Sequence, residues 1–187
     1  MSRPEEVEKY VRCYELEHYR MGVIRKEDAI RALQPLIEEG SSYLDIGCGR
    51  GEMLDLAKEW GASKTQGIET VPALCEKENV WLGSGYSLPF EDNSFDVVSL
   101  FDVIEHIPRE DELLVLNEMK RVARKAIVLT ANNHQSRLPD GTDLHINIRE
   151  YKEWDELLKE EFSGWDITWM DNPKKRNNSE TWVLERV

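Results

Sequence analysis

Apolar and polar positions alternate along this chain in two different periods. Between about Pro4 and Tyr19, the residues Val7, Tyr10, Val11, Tyr14 and His18 recur at helical spacing, and Ile24 to Ile37 repeats the pattern with Ile30, Leu33 and Ile37. Gly40-Ser41-Ser42 ends that second helix, and Tyr43 to Ile46 is a short apolar strand running straight into glycines. A helix follows from about Glu52 to Trp60, then a strand Lys64 to Ile68, a short helix Pro72 to Lys77 and a strand Val80 to Leu82. Phe95 to Phe101 reads as a fully buried strand, Glu110 to Val122 as a helix and Ala126 to Thr130 as a further strand. Beyond a polar loop, Asn132 to Asp143, a helix spans about Arg149 to Glu161. Two strands follow, Asp166 to Met170 and Glu180 to Leu184, joined by the hairpin signal Asp171 to Asn178. Strands alternating with helices imply an α/β fold with a parallel sheet and crossover helices, and the hairpin implies an antiparallel pair at its end.

Length and composition narrow this picture. With 187 residues the chain is expected to form one domain, residues 1–40 a helical cap and residues 41–187 the core, burying roughly 70% of its unfolded surface. Its 40% hydrophobic and 33% charged residues are those of a globular domain, and no apolar run reaches the roughly 18 residues of a membrane span. The polar start Met1-Ser-Arg-Pro-Glu-Glu is not a secretory signal, so a cytoplasmic location is expected. Cys13, Cys48 and Cys75 are odd in number and lack CxxC spacing, which points to small buried residues rather than a zinc ribbon or a disulfide framework. The net charge of −13 repels polyanions and disfavours a nucleic-acid partner; Lys174-Lys175-Arg176 reads as a solvated basic tip.

The candidate chemistry begins at Asp45-Ile-Gly47-Cys48-Gly49-Arg-Gly51, where a strand passes through glycines into a helix. Glycines there let backbone approach a ligand closely. A dinucleotide is one ligand for such a loop, but here the third glycine comes a residue early, and Asp45 sets a carboxylate where a pyrophosphate would be repelled. A sulfonium amino acid is cationic at both its sulfur and its amino group and suits that charge. Glu69, at the end of the next strand, can then accept hydrogen bonds from both ribose hydroxyls.

The stretch Tyr43-Leu-Asp-Ile-Gly-Cys-Gly-Arg-Gly-Glu-Met-Leu54, with Gly83-Ser84-Gly85-Tyr86-Ser87-Leu88-Pro89-Phe90 and Phe95-Asp96-Val97-Val98 in order behind it, resembles the class I S-adenosylmethionine-dependent methyltransferase family, in particular its small-molecule O-methyltransferase-like group. The resemblance runs from Tyr43 to about Thr130. It implies a Rossmann-like three-layer sandwich whose seven-stranded sheet has the order 3-2-1-4-5-7-6 with only the seventh strand antiparallel. It also implies S-adenosyl-L-methionine as cofactor, lying across the carboxyl ends of the first, second and fourth strands, with Asp45, Gly47, Cys48, Gly49, Gly51, Glu69, Ser84, Gly85 and Phe101 as its contacts. The family usually carries an acid after the glycine of the third block, for the adenine amino group. Ser84 stands there, and a hydroxyl, a backbone carbonyl or Asp92 is left to replace it.

Methyl transfer needs a donor and a nucleophile held in line, and a base only when the acceptor must lose a proton. His106 is the base candidate, with Glu105 beside it, and the blander role of this pair is to fix the loop by hydrogen bonds to backbone. Substrate capture falls to Tyr14, His18, Tyr19 and Arg20 as a lid, facing Asn132, Asn133, His134 and Arg137, although Tyr14 and His18 share a helical face with core residues. Trp154, Trp165, Trp169 and Trp182 read as core or sheet cover. The acceptor expected is an oxygen or nitrogen of a small molecule or polar side chain, with no metal. A rival pattern, Asp102-x-x-Glu105-His106 with His145 or His134, resembles the metal site of small-RNA 2′-O-methyltransferases. A second rival is a cofactor-binding regulator of the same fold without catalysis.

Overall fold

The structure is a computed structural model that describes residues 4–15, 27–170 and 179–187. His18, Tyr19, Arg20, the basic tip Lys174-Lys175-Arg176 and the linker Asp171 to Asn178 lie outside the described residues. The elements in chain order are α1 (Pro4–Glu15), α2 (Glu27–Leu33), β1 (Ser42–Ile46), α3 (Glu52–Glu59), β2 (Lys64–Glu69), β3 (Val80–Leu82), β4 (Phe95–Phe101), α4 (Glu112–Val122), β5 (Ala123–Asn132), α5 (Tyr151–Glu161), β6 (Trp165–Met170) and β7 (Ser179–Arg186). The strands form one sheet of order β3-β2-β1-β4-β5-β7-β6. Pairings from β3 to β5 are parallel, and β7 runs antiparallel to both neighbours. This is the expected Rossmann-like order.

Alternation along the central strands creates the layers, because successive side chains leave a strand on opposite faces. Leu44, Ile46, Val98, Leu100, Ile127 and Leu129 point to one face and pack with Val115, Leu116 and Met119 of α4 and with Trp154 and Leu158 of α5. Tyr43, Val97, Phe101, Val128 and Val183 point to the other, against Ala29 and Leu33 of α2 and Met53, Leu54 and Ala57 of α3. Both faces are covered, as a parallel sheet requires. Trp154 and Trp182 are fully buried, whereas Trp169 on the edge strand β6 stacks on Trp182 at 5.7 Å and stays partly exposed.

Asp96 ties three strands together at the edge opposite the glycine loop. Its carboxylate accepts hydrogen bonds from Ser42 N at 3.0 Å and Ser42 Oγ at 2.9 Å on β1, and from Arg124 Nη2 at 2.7 Å on β5. Burial opposes its charge, but these bonds outweigh burial and hold the carboxyl well below the usual range.

Several boundaries differ from the sequence reading, most by one or two residues. The described part of the helix expected over Ile24 to Ile37 is α-helical over Glu27–Leu33 and tightens into a 3₁₀ turn, Gln34–Leu36, at Pro35, which has no N–H for the α-helical ladder. The helix expected over Pro72 to Lys77 is one 3₁₀ turn, Pro72–Leu74. β5 begins three residues early, at Ala123, because Arg124 and Lys125 reach Asp96 from within the strand. Among the described residues, no helix is long and apolar enough to cross a membrane.

Candidate active site

The carboxyl end of β1 opens into the glycine loop. Gly47 has φ of +71°, and a Cβ there would lie 2.5 Å from Val103 Cγ2, so only glycine lets the loop close on the segment after β4. The loop's N–H groups are largely consumed inside the protein. Gly47 N and Cys48 N donate to Ile68 O at 2.8 and 3.2 Å, Gly49 N donates to Glu69 Oε2 at 2.9 Å, and Gly51 N donates to Cys48 O at 2.9 Å. A phosphate-binding loop instead points such N–H groups outward at its anion.

Two carboxylates bracket the loop. Asp45 is buried and accepts from Ser99 Oγ at 2.6 Å; Ser99 Oγ also lies 2.6 Å from Tyr43 Oη. Glu69 is 5% exposed. Its Oε1 accepts from Thr70 N at 2.8 Å and Val71 N at 3.0 Å, and its Oε2 holds Gly49 N. Each carboxylate oxygen has two lone pairs, so Oε2 can still accept a ligand hydroxyl. Glu69 is therefore also a clasp between β2 and the loop, a role the spacing alone did not reveal.

The remaining expected cofactor contacts divide. Cys48 turns its thiol into the core beside Gly67, where burial and the Asp45 and Glu69 charges push it well above the usual thiol range; only its backbone borders the loop's outer face. Phe101 is 4% exposed and packs in the α2/α3 layer. Ser84 accepts from Tyr86 N at 3.3 Å in a half-buried turn, and Gly85 packs its bare Cα against Ile46 and Val115. Asp92 is bound to Arg121 at 3.0 Å with its side chain 71% exposed, a surface pair rather than a pocket acid.

Past β4, the chain turns through Asp102 at a φ of +54° into a 3₁₀ turn, Ile104–His106. Asp102 Oδ1 accepts from Thr130 Oγ1 at 2.7 Å, Ser179 Oγ at 2.9 Å and Asn132 Nδ2 at 3.2 Å, and its own N–H donates to Thr130 Oγ1 at 2.8 Å. These bonds hold a left-handed backbone that an aspartate would otherwise leave. Glu105 is fully buried. Its Oε1 accepts from Asn132, and its Oε2 has no hydrogen-bond partner among the described residues. Burial, with the Asp102 charge nearby, raises its carboxyl to about 8.

His106 is half-buried. Its Nδ1 lies 2.9 Å from the carbonyl of Leu144, which only accepts, so Nδ1 carries the proton and Nε2 the lone pair. Burial and the neighbouring His145 lower His106 to about 4, which keeps it neutral near pH 7. The rings of His106 and His145 stand 4.8 Å apart, and those of His134 and His145 4.9 Å. Ligand atoms of Glu105, His106 and His145 lie within 4.8 Å of one another. Asp102, the first acid of the metal-type pattern, is not in that group; its Oδ1 is committed to the knot with Thr130, Asn132 and Ser179.

Helix α1 covers both halves. Tyr14 Oη lies 3.3 Å from where a Gly49 Cβ would stand, and the Tyr10 ring meets His106 edge-on at 5.3 Å. These residues are one turn apart, so the glycine loop and the histidine group flank a span of about 6 Å along the helix. Cys13 packs with Leu138 and Leu144, and Arg12 pairs with Asp140, which fastens α1 to the loop after β5. Tyr14 thus lies beside the glycine loop at Gly49. Tyr10 carries no site role in the sequence reading, only a place in the helical spacing, and its i, i+4 spacing to Tyr14 is the signal that the two share a face.

Comparison with known proteins agrees with this geometry. Residues 16–173 match the family model described as a methyltransferase domain. The chain is 32% identical over 118 residues to norajmaline N-methyltransferase of Rauvolfia serpentina, across 55% of this chain and 40% of that protein. It is 34% identical over 116 residues to demethylmenaquinone methyltransferase of Staphylococcus aureus, across 55% of this chain and 47% of that protein. The matches thus span less than half the length of these relatives. The fold superposes with a TM-score of 0.68 on a SAM-dependent methyltransferase from Archaeoglobus fulgidus, at 19% identity over 91% of this chain and 97% of that one. On a family model that matches most of its length, and on a sheet order and glycine loop that fit it, the chain belongs to the S-adenosylmethionine-dependent methyltransferase domain family.

Proposed function

We propose that this chain transfers a methyl group from S-adenosylmethionine to an oxygen or nitrogen of a small molecule or polar side chain. The observation that carries the proposal is the glycine loop: its N–H groups are spent within the protein while Asp45 and Glu69 close on it. Such a cradle suits a cationic sulfonium amino acid and its ribose better than a pyrophosphate. In this reading Asp45, Gly47, Gly49 and Gly51 border the amino acid moiety, Glu69 takes a ribose hydroxyl at Oε2, and Ser84 and Gly85 lie toward the adenine. Cys48 and Phe101 contribute backbone and support.

The acceptor lies between the loop and His106, beneath Tyr10 and Tyr14. Neutral His106 presents the lone pair of Nε2 and can take the acceptor's proton as the nucleophile attacks the methyl carbon and the carbon–sulfur bond breaks. With a conjugate acid as weakly held as this one, most of the rate comes from alignment rather than from proton transfer. Isothermal titration with S-adenosylmethionine and S-adenosylhomocysteine tests the proposal. Binding of both, lost on Asp45→Asn together with Gly47→Ala, is expected; failure of both to bind at millimolar concentration sinks it.

A further inference from the structure

The geometry points to a divalent transition-metal site formed by Glu105, His106 and His145. Three observations support it, and none involves the methyl donor. First, Glu105 Oε2 is buried without a hydrogen-bond partner among the described residues, although the same side chain is fixed through Oε1 by Asn132. A buried polar oxygen left so is costly unless something else satisfies it.

Second, both imidazoles are oriented as metal ligands are. His106 Nδ1 donates to Leu144 O at 2.9 Å and His145 Nδ1 donates to His134 O at 2.6 Å, which leaves both Nε2 atoms with lone pairs. A backbone carbonyl on the far nitrogen is the usual outer support of a ligating histidine. Third, the two segments are bolted together on either side of these groups. Ile146 N and Asn147 N donate to Glu105 O at 3.0 and 2.9 Å, so His145 is held against the Glu105-His106 turn.

The ligand atoms lie within 4.8 Å of one another. In a tetrahedral shell with metal–ligand distances of about 2.1 Å they would stand about 3.4 Å apart, so rotations that move each atom by under about an ångström complete the shell. Two nitrogens and one carboxylate oxygen suit Zn²⁺, Mn²⁺ or Fe²⁺ better than Mg²⁺ or Ca²⁺, which prefer all-oxygen shells. Three protein ligands also leave coordination positions open, as in catalytic rather than structural sites; a bound ion would occupy the Nε2 lone pair of His106, so the proton-accepting role proposed for it above belongs to the metal-free chain.

The test uses the whole chain, freed of metal by chelator and titrated with Zn²⁺ by calorimetry and with Co²⁺ by visible absorption. One ion per chain is expected, with Co²⁺ bands of a four- or five-coordinate site. Glu105→Gln and His145→Ala should each weaken binding more than about 100-fold, beyond the 10- to 100-fold of outer-shell changes. His134→Ala should weaken it less than about tenfold, because His134 lends only its carbonyl. Absence of saturable binding, or binding that survives both ligand substitutions with the fold intact by circular dichroism, overturns the inference; loss in His134→Ala equal to that in His145→Ala overturns the ligand assignment. S-adenosylhomocysteine titrated into the same preparations separates the two readings, since metal binding without it leaves this site standing and removes only the methyl-donor proposal.

Discussion

Replacing Glu69 by glutamine isolates the clasp between β2 and the glycine loop, since size is preserved and only charge and one acceptor are lost. The carboxylate receives Gly49 N on one oxygen and Thr70 N and Val71 N on the other, all within 3.0 Å. A glutamine carbonyl can serve one side only. Facing Thr70 and Val71, it sets its amide N–H₂ against Gly49 N–H, and leaving a buried donor unsatisfied costs about 1–3 kcal/mol. Weakening the other two bonds from charge-assisted to neutral adds about 1 kcal/mol, for a total of about 2–4 kcal/mol. With a urea m-value of about 2 kcal/mol/M, the unfolding midpoint should fall by about 1–2 M with m unchanged. S-adenosylhomocysteine affinity should fall with it, and by more than in Asp96→Asn, a destabilised control whose substitution lies at the opposite end of the sheet. A midpoint shift under about 0.3 M would refute the energetic weight of the clasp, and an unchanged affinity for the ligand would refute the ribose contact proposed for Glu69.

Other substitutions report on the rest of the architecture. Gly47→Ala forces a side chain into the left-handed region and into Val103, so it should destabilise by about 2–4 kcal/mol and abolish ligand binding, read by thermal unfolding and calorimetry. Asp96 has a carboxyl held below its unfolded value near 3.9, so its stabilisation is complete above about pH 4 and is lost as pH falls through and below that value. The stability gap between wild type and Asp96→Asn, measured by urea at pH 7 and pH 3, should therefore narrow at the lower pH; a constant gap contradicts the hydrogen-bond account. Leu138→Ala removes a fully packed member of the cluster under α1 and should cost about 2–4 kcal/mol, with faster proteolysis within α1 than in the sheet. Protection of α1 equal to wild type would show that it is fastened elsewhere.

The central strands were legible because burial on both faces demands continuous apolar runs, and Phe95 to Phe101 admits no other reading. The start of β5 was not, because Arg124 and Lys125 look like a loop until Asp96, 28 and 29 residues earlier, supplies their partner. The glycine loop and its carboxylates could be read from local spacing. That Glu69 spends both oxygens on backbone could not, since those bonds depend on how β2 meets the loop in space. Likewise Phe101 ends a strand and Cys48 sits in the glycine loop, but the alternation of the sheet turns Phe101 inward, and the gap left by Gly67 admits the Cys48 thiol. Glu105, His106 and His145 were visible as types, and only the loop's return past Leu144 decides that they converge while Asp102 turns away.

β7 is the last of the described strands in sequence yet lies between β5 and β6, and among the described residues β6 has no other partner in the sheet. Its first residue, Ser179, completes the knot at Asp102, 77 residues earlier. Assembly therefore has a built-in order. The glycine loop with β1 and β2 closes through contacts about 20 residues apart, whereas the knot at Asp102 needs a strand 77 residues away, a long-range contact expected to form slowly. A refolding experiment that follows S-adenosylhomocysteine binding and Trp182 burial together is expected to see the first signal precede the second; simultaneous signals would refute this order.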